Sequence, residues 1–135
     1  MGQASEKNNS NMIHFVDNPL VTPKLGSYAS VTIKVDRVLE SWKSSAMAFE
    51  WLTPKGAIRD AGMLSPNLNA QRQAIEAALC KGDLIAKPVL GIGIFDNVEI
   101  GIGRDVFVTL AAHGIEEMPV HIPKSMEKDF KSFLI

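Results

Sequence analysis

The chain has one cysteine, Cys80, in 135 residues. No intramolecular disulfide can form, so packing has to hold the fold, and the usage suits a reducing compartment. Neither sign of charge is in excess: 14 Lys and Arg stand against 15 Asp and Glu, a formal net charge of −1. Charge as a whole therefore lends no support to nucleic-acid binding, which shows as a basic surplus, although a local basic patch stays open. No apolar run is long enough to cross a bilayer. The N-terminus lacks the basic region and apolar block of a signal peptide. A cytoplasmic protein without a membrane partner is expected. The three histidines, His14, His113 and His121, have no metal-ligand spacing, and no metal site is expected from them. Internal repeats and charge blocks are also missing.

What is present is enough for one domain with a real core, at 46% hydrophobic and 21% charged residues. Residues 1–28, rich in Gly, Ser, Asn, Lys and Pro, read as a flexible N-terminal segment in which only His14, Phe15 and Val16 form an apolar cluster able to dock. The domain is expected over residues 29–135. Ser30 to Val38 alternates apolar and polar residues and predicts a strand. Leu39 to Leu52 fits a helix imperfectly. Ala57 to Leu64 fits a short helix. Asn69 to Lys81 is the clearest helix, capped by Asn67 or Asn69, closed by Gly82, and buried through Ala74, Ile75, Ala78 and Leu79. Arg72 and Glu76 can pair on its exposed side. Cys80, in the same run, reads as a buried small hydrophobe.

The stretch from Lys87 to Ile122 organises the rest. A strand after Pro88 turns at Asp96-Asn97 and returns as Val98 to Ile102. This two-residue turn sets Gly93 against Ile100 and Gly91 against Ile102, so the glycines read as room for packing, as a bulge, or as backbone cleared for a ligand. A helix runs from Arg104 to about His113, with Gly114 as its stop. Met118 to Ile122 is a further strand, and the last helix carries Met126, Phe130, Phe133 and Leu134. The first turn after Gly101-Ile102-Gly103 joins unpaired amides to the positive end of a helix dipole, a natural place for a phosphate. Gly101, Gly103 and Arg104 are the candidate phosphate-binding residues, with the Arg104 guanidinium forking onto phosphate oxygens. Asp105 repels phosphate unless it works with a metal or as an acid or base. Glu99 is a candidate general base or metal ligand, or a strand residue facing solvent. The spacing is that of neither a P-loop nor a Rossmann fingerprint.

Lys87-Pro88-Val89, a hairpin ending in glycine, an Arg-led helix rich in Leu and Ala, and then Gly114-Ile115-Glu116-Glu117-Met118-Pro119-Val120 resemble the ParB/sulfiredoxin superfamily from about Pro66 to Ile122. The resemblance implies a compact single-domain α+β fold, a small mixed sheet flanked by helices, binding nucleic acid or nucleotide phosphate at this helix N-terminus. It also implies nuclease or nucleotide-hydrolysing activity as in ParB-like nuclease-domain proteins of plasmids and phages, with a divalent metal or a nucleotide as cofactor and DNA or nucleotide as partner. Gly103 and Arg104 match the Gly-Arg of the family's Gly-Arg-His-Arg box. Ile102, Asp105 and Val106 replace its Asp, His and second Arg. Glu99 and Asp105 are left as the catalytic candidates. Sulfinic-acid reduction is excluded, because no cysteine lies in the box. For the chemistry the substitutions favour the alternative, a catalytically inactive binding or regulatory module of a mobile genetic element acting through protein contacts, while the retained Gly-Arg favours residual anion binding.

Overall fold

The computed structural model describes residues 13–135. It is a compact α+β domain. A four-stranded mixed sheet has the order β2 (Tyr28–Lys34), β6 (Glu117–Pro123), β4 (Val89–Ile92), β5 (Val98–Ile102), and β1 (His14–Val16) pairs in parallel with β3 (Leu84–Ala86) in a second, two-stranded sheet. Three helices flank them: α1 (Val35–Trp42), α2 (Pro66–Lys81) and α3 (Arg104–Ala112). β2 and β6 are antiparallel, β6 and β4 parallel, and β4 and β5 antiparallel. Trp42, Trp51, Phe107 and Phe130 are the largest buried side chains, joined in the core by Ile33, Leu90, Ile100, Leu110, Met118 and Ile122.

The domain starts earlier than residue 29. β1 pairs with β3, and Val21 is buried. Residues 13–28 are thus part of the domain, while the part of the expected N-terminal segment before Ile13 lies outside the described residues. The strand expected over Ser30 to Val38 ends at Lys34 and passes directly into α1. From Val35 the period changes from two to helical: Val35, Val38 and Trp42 share one helical face and are all buried, whereas continued strand alternation would leave Val38 opposite Val35. The helix expected over Leu39 to Leu52 consequently shifts to Val35–Trp42 and is followed by turns and a short 3-10 helix, Ala48–Glu50. The expected short helix near Ala57 contracts to one 3-10 turn, Ala61–Met63, and the expected last helix to two, Lys124–Met126 and Lys131–Phe133.

Helix α2 begins with Pro66 in its first turn, and the Ser65 hydroxyl accepts from the Leu68 amide at 3.3 Å; Ser65 rather than Asn67 or Asn69 is the cap. Gly82 closes it at φ +71°, as its sequence position predicts. The helix buries no residue fully. Leu68, Ile75, Ala78 and Leu79 pack against the core, whereas Ala74 and Cys80 are exposed. Cys80 is therefore not the buried hydrophobe expected. Arg72 and Glu76 do pair, at 3.3 Å, but the Arg72 side chain is largely covered because its Nη1 also reaches the Arg59 carbonyl.

The hairpin has a different register from the one a two-residue turn imposes. The Gly93 amide donates to the Asn97 carbonyl and the Asp96 amide to the Gly93 carbonyl, so the loop is Ile94-Phe95-Asp96. The two favoured two-residue turns need positive φ at both central residues (type I′) or a glycine at the first (type II′). Here Asp96 adopts φ +61° and Asn97 does not, which yields the three-residue loop ending in a left-handed residue. Gly91 then faces Glu99, Leu90 faces Ile100, and Val89 faces Ile102 across a register shift that leaves Gly101 as the extra residue of a bulge. Gly93 faces Asn97, not Ile100, and Ile94 and Phe95 stand in the loop, 91% and 83% exposed. A Cβ on Gly93 would lie 3.0 Å from Glu99 Cγ. We expect Gly93→Val to destabilise the domain by about 1–3 kcal/mol through this overpacking. Glu99→Ala in the same chain should recover part of that loss, as read by thermal unfolding. Equal losses in the presence and absence of the Glu99 side chain would refute the contact.

Candidate functional site

Gly101, Gly103, Arg104 and Asp105 line one cleft of about 240 Å³, together with Glu50, Gln71, Trp51 and Leu68. The chain comes to it by necessity. Gly103 sits at φ +85° as the N-cap residue of α3, and a Cβ there would lie 3.1 Å from Pro88 Cα. Only glycine satisfies both the left-handed backbone and the close approach of Pro88. The bulge at Gly101 widens the strand end just ahead of it.

Arg104 is pinned. Its Nε donates to the Ile100 carbonyl at 2.9 Å, and its two terminal nitrogens have no hydrogen-bond acceptor among the described residues. The guanidinium is thus fixed by one atom and keeps its fork free. The Asp105 carboxylate folds back onto its own helix, Oδ1 accepting from the Val106 amide at 2.8 Å. It does for the helix what a side chain at the N-cap normally does, because Gly103 has none to offer. The amides of Arg104 and Asp105 have no intrahelical acceptor and remain as donors at the mouth of the cleft.

Glu99 does not join this group. It is absent from the cleft lining, and both its oxygens are taken. Oε1 accepts from Ser45 Oγ at 2.6 Å and Oε2 from Asn97 Nδ2 at 2.9 Å. Ser45 and Asn97 are themselves buried, and Ser45 Oγ accepts from the Met47 amide. Glu99 fastens the loop after α1 to the β4–β5 hairpin. It is neither the solvent-facing strand residue nor a carboxylate poised beside Arg104, so the candidate acid–base pair of Glu99 and Asp105 is not assembled. Glu50 is the second carboxylate that the fold brings to the cleft, and Gln71 is a neutral polar partner from α2. Neither was singled out from the sequence: they lie far from Arg104 along the chain and belong to no motif.

At the other end of α3 a second cleft, about 530 Å³, is lined by His14, Glu76, Cys80, Asp83 and His113 with apolar neighbours. His113 Nε2 lies 2.9 Å from Glu76 Oε2. The His113 hydrogen bond, aided by Arg72, holds the Glu76 carboxyl below its ordinary value against the opposing effect of desolvation. This pair joins the C-terminal end of α3 to the middle of α2, in keeping with the helix-terminal place expected for His113. Among the described residues no three His, Cys, Asp or Glu side chains form a group able to hold a metal ion. No described helix is long and apolar enough to cross a membrane.

No family model, curated protein or solved structure matches the chain. The ParB/sulfiredoxin resemblance rests on its residues alone.

The requirement for glycine at the cleft is testable. Gly103→Ala combines a left-handed backbone with contact against Pro88, and we expect it to lower stability by about 1–3 kcal/mol. Gly114→Ala, at φ +85° but in open space, should cost less. Thermal unfolding of the two variants side by side decides this; equal losses would mean that Pro88 imposes no constraint.

Proposed function

We propose that the domain is a ParB-like binding module that takes the phosphate of a nucleotide or nucleic acid at the N-terminus of α3. The observation that carries the reading is the Arg104 guanidinium, tethered through Nε to the Ile100 carbonyl and free at its terminal nitrogens, beside the open amides of the first helical turn. A tethered fork loses little conformational freedom when it binds, and its charge is delivered where the helix dipole already favours an anion. The size of the cleft suits a phosphate group rather than a whole nucleotide, so base and sugar would lie outside it.

Binding without turnover is the better-supported form of the proposal. Asp105 is engaged in capping its helix, and Glu99 is committed to Ser45 and Asn97. Nuclease or nucleotide hydrolysis would need one of them released. Asp105 and Glu50 also place negative charge near the phosphate, which weakens binding rather than abolishing it. A second reading, a module of a mobile genetic element acting through protein contacts, is favoured by the exposure of Ile94 and Phe95 at the hairpin tip.

Titration of fluorescently labelled nucleoside triphosphate and of a short labelled duplex, at low and moderate salt, separates these. Arg104→Ala should bind about tenfold or more weakly, the size expected for losing a charge-assisted hydrogen bond. Asp105→Asn keeps an oxygen for the Val106 amide but removes the repelling charge, and it should bind more tightly. Equal affinity in wild type and Arg104→Ala, with both folded, would sink the phosphate site. No binding at all, together with a tip variant Phe95→Ser that loses a protein contact, would favour the second reading.

A further inference from the structure

His121 is a titratable side chain only 1% exposed, on an inner strand of the sheet. On β6, Met118, Val120 and Ile122 point to one face and His121 to the other. All four are buried, so something must cover the reverse face. The cover is the chain just after β1. The Asn18 amide donates to His121 Nε2 at 3.0 Å, and the Asn18 side chain bridges the Lys87 carbonyl and the Leu20 amide. Beside it, Lys87 Nζ donates to Asp17 Oδ1 at 3.1 Å and to Ser30 Oγ at 2.9 Å. The Tyr28 ring meets the imidazole edge-on.

An imidazole nitrogen that accepts carries no proton, so His121 is neutral with its hydrogen on Nδ1. That Nδ1 is buried and has no partner among the described residues. The ring therefore contributes one hydrogen bond to the fold, and it makes that bond only while uncharged. Two charged groups face it: Lys87, which opposes its protonation, and Asp17, whose Oδ1 lies 3.9 Å from Nε2 and favours it.

We propose that His121 is a pH-operated latch for the N-terminal strand: neutral, it holds β1 and the Asp17–Leu20 segment on the sheet, and protonated, it lets them go. A proton on Nε2 confronts the Asn18 amide with a second donor. Asp17, whose Oδ1 is 3.9 Å away, is the carboxylate within reach, and turning it toward Nε2 draws it from Lys87 while the Asn18 amide gives way. The Asn18–His121 and Asp17–Lys87 contacts are lost in one event, which leaves the Asn18 side chain on the Lys87 carbonyl and the short pairing of His14–Val16 to Leu84–Ala86 to hold the segment alone. Burial, and then the Lys87 charge, lower the affinity of the ring for its proton below the ordinary 6.5. The sign follows: a base whose folded value is depressed adds stability that is complete above its unfolded value and is lost as pH falls below it. The rest of the sheet does not depend on this bond, so the loss is local.

The test uses amide hydrogen exchange on the whole chain, expressed as protection factors from neutral to mildly acidic pH. The Val16, Asn18 and Lys87 amides should lose about tenfold protection as the pH falls below 6.5, the effect of one buried hydrogen bond, while the Val120 and Phe107 amides hold theirs. Asp17→Asn removes the group that favours the proton and should move the transition to lower pH. His121→Gln, an uncharged acceptor, should abolish it. If Asn18 loses protection only together with Val120 and Phe107, the acid effect is global unfolding and the latch is wrong. Constant protection at Asn18, or a transition unmoved by Asp17→Asn, overturns it as well, without recourse to the His121 variant.

Discussion

The edge of β5 sets the terms for the surrounding structure. Val98 and Ile100 turn their main-chain groups away from β4, toward a side of the sheet where no strand follows. Unpaired amides and carbonyls there must find donors and acceptors or invite another chain. Each neighbour supplies one: Ser41 of α1 accepts from the Val98 amide at 2.8 Å, Asn97 of the hairpin donates to the Val98 carbonyl at 2.9 Å, and Arg104 of α3 donates to the Ile100 carbonyl. The opposite edge is closed by the C-terminus, with Leu134 bridging Ile33 and the Ile135 amide donating to the Thr32 carbonyl. Closing the β5 edge fixes where α1 ends, how the hairpin turns, and where the first residue of α3 points. Arg104 thus has a structural duty that a phosphate role has to share.

The parts legible in the sequence were those whose signal is local. The long helix and its Gly82 stop, the Gly103-Arg104 helix start, and the β6 strand all depend on residues within a few positions of one another. The hairpin was legible as a hairpin but not in register. Asp96-Asn97 has the composition of a two-residue turn, but Asp96 takes the left-handed third position of a three-residue loop and Asn97 pairs with Gly93. One residue of turn length decides which partner every glycine meets. The passage from β2 to α1 was hidden for a related reason: Val35 and Val38 suit a strand as well as a helix, and the choice falls to Trp42, which needs the helical face to reach the core.

The candidate site divides along the same line. Gly101, Gly103, Arg104 and Asp105 are neighbours in sequence and meet in one cleft. Glu99 is equally near in sequence, but the bulge at Gly101 breaks the alternation that would have kept it on their face, and Ser45, far away along the chain, claims its carboxylate. Glu50 and Gln71 enter through tertiary packing alone. His121 is the converse case. Its apolar neighbours mark a strand, but its burial follows from Asn18, more than one hundred positions away, covering the face that a one-sided sheet would have left to water.

The Asp at position 105 has a local role at the start of α3. Gly103 must be glycine, for its left-handed backbone and for Pro88. A glycine N-cap has no side chain to accept from the first turn, so the α3 amides would otherwise face the cleft with water or a ligand as their only acceptors. Asp105 satisfies one of them permanently, at Val106. Helix stability and anion binding draw on the same few donors, and what the carboxylate takes a phosphate cannot use. With the Val106 amide occupied and those of Arg104 and Asp105 left over, the first turn retains enough donors to orient an anion but carries a charge that opposes it. If the proposed phosphate binds here, the tethered Arg104 has to outweigh that charge.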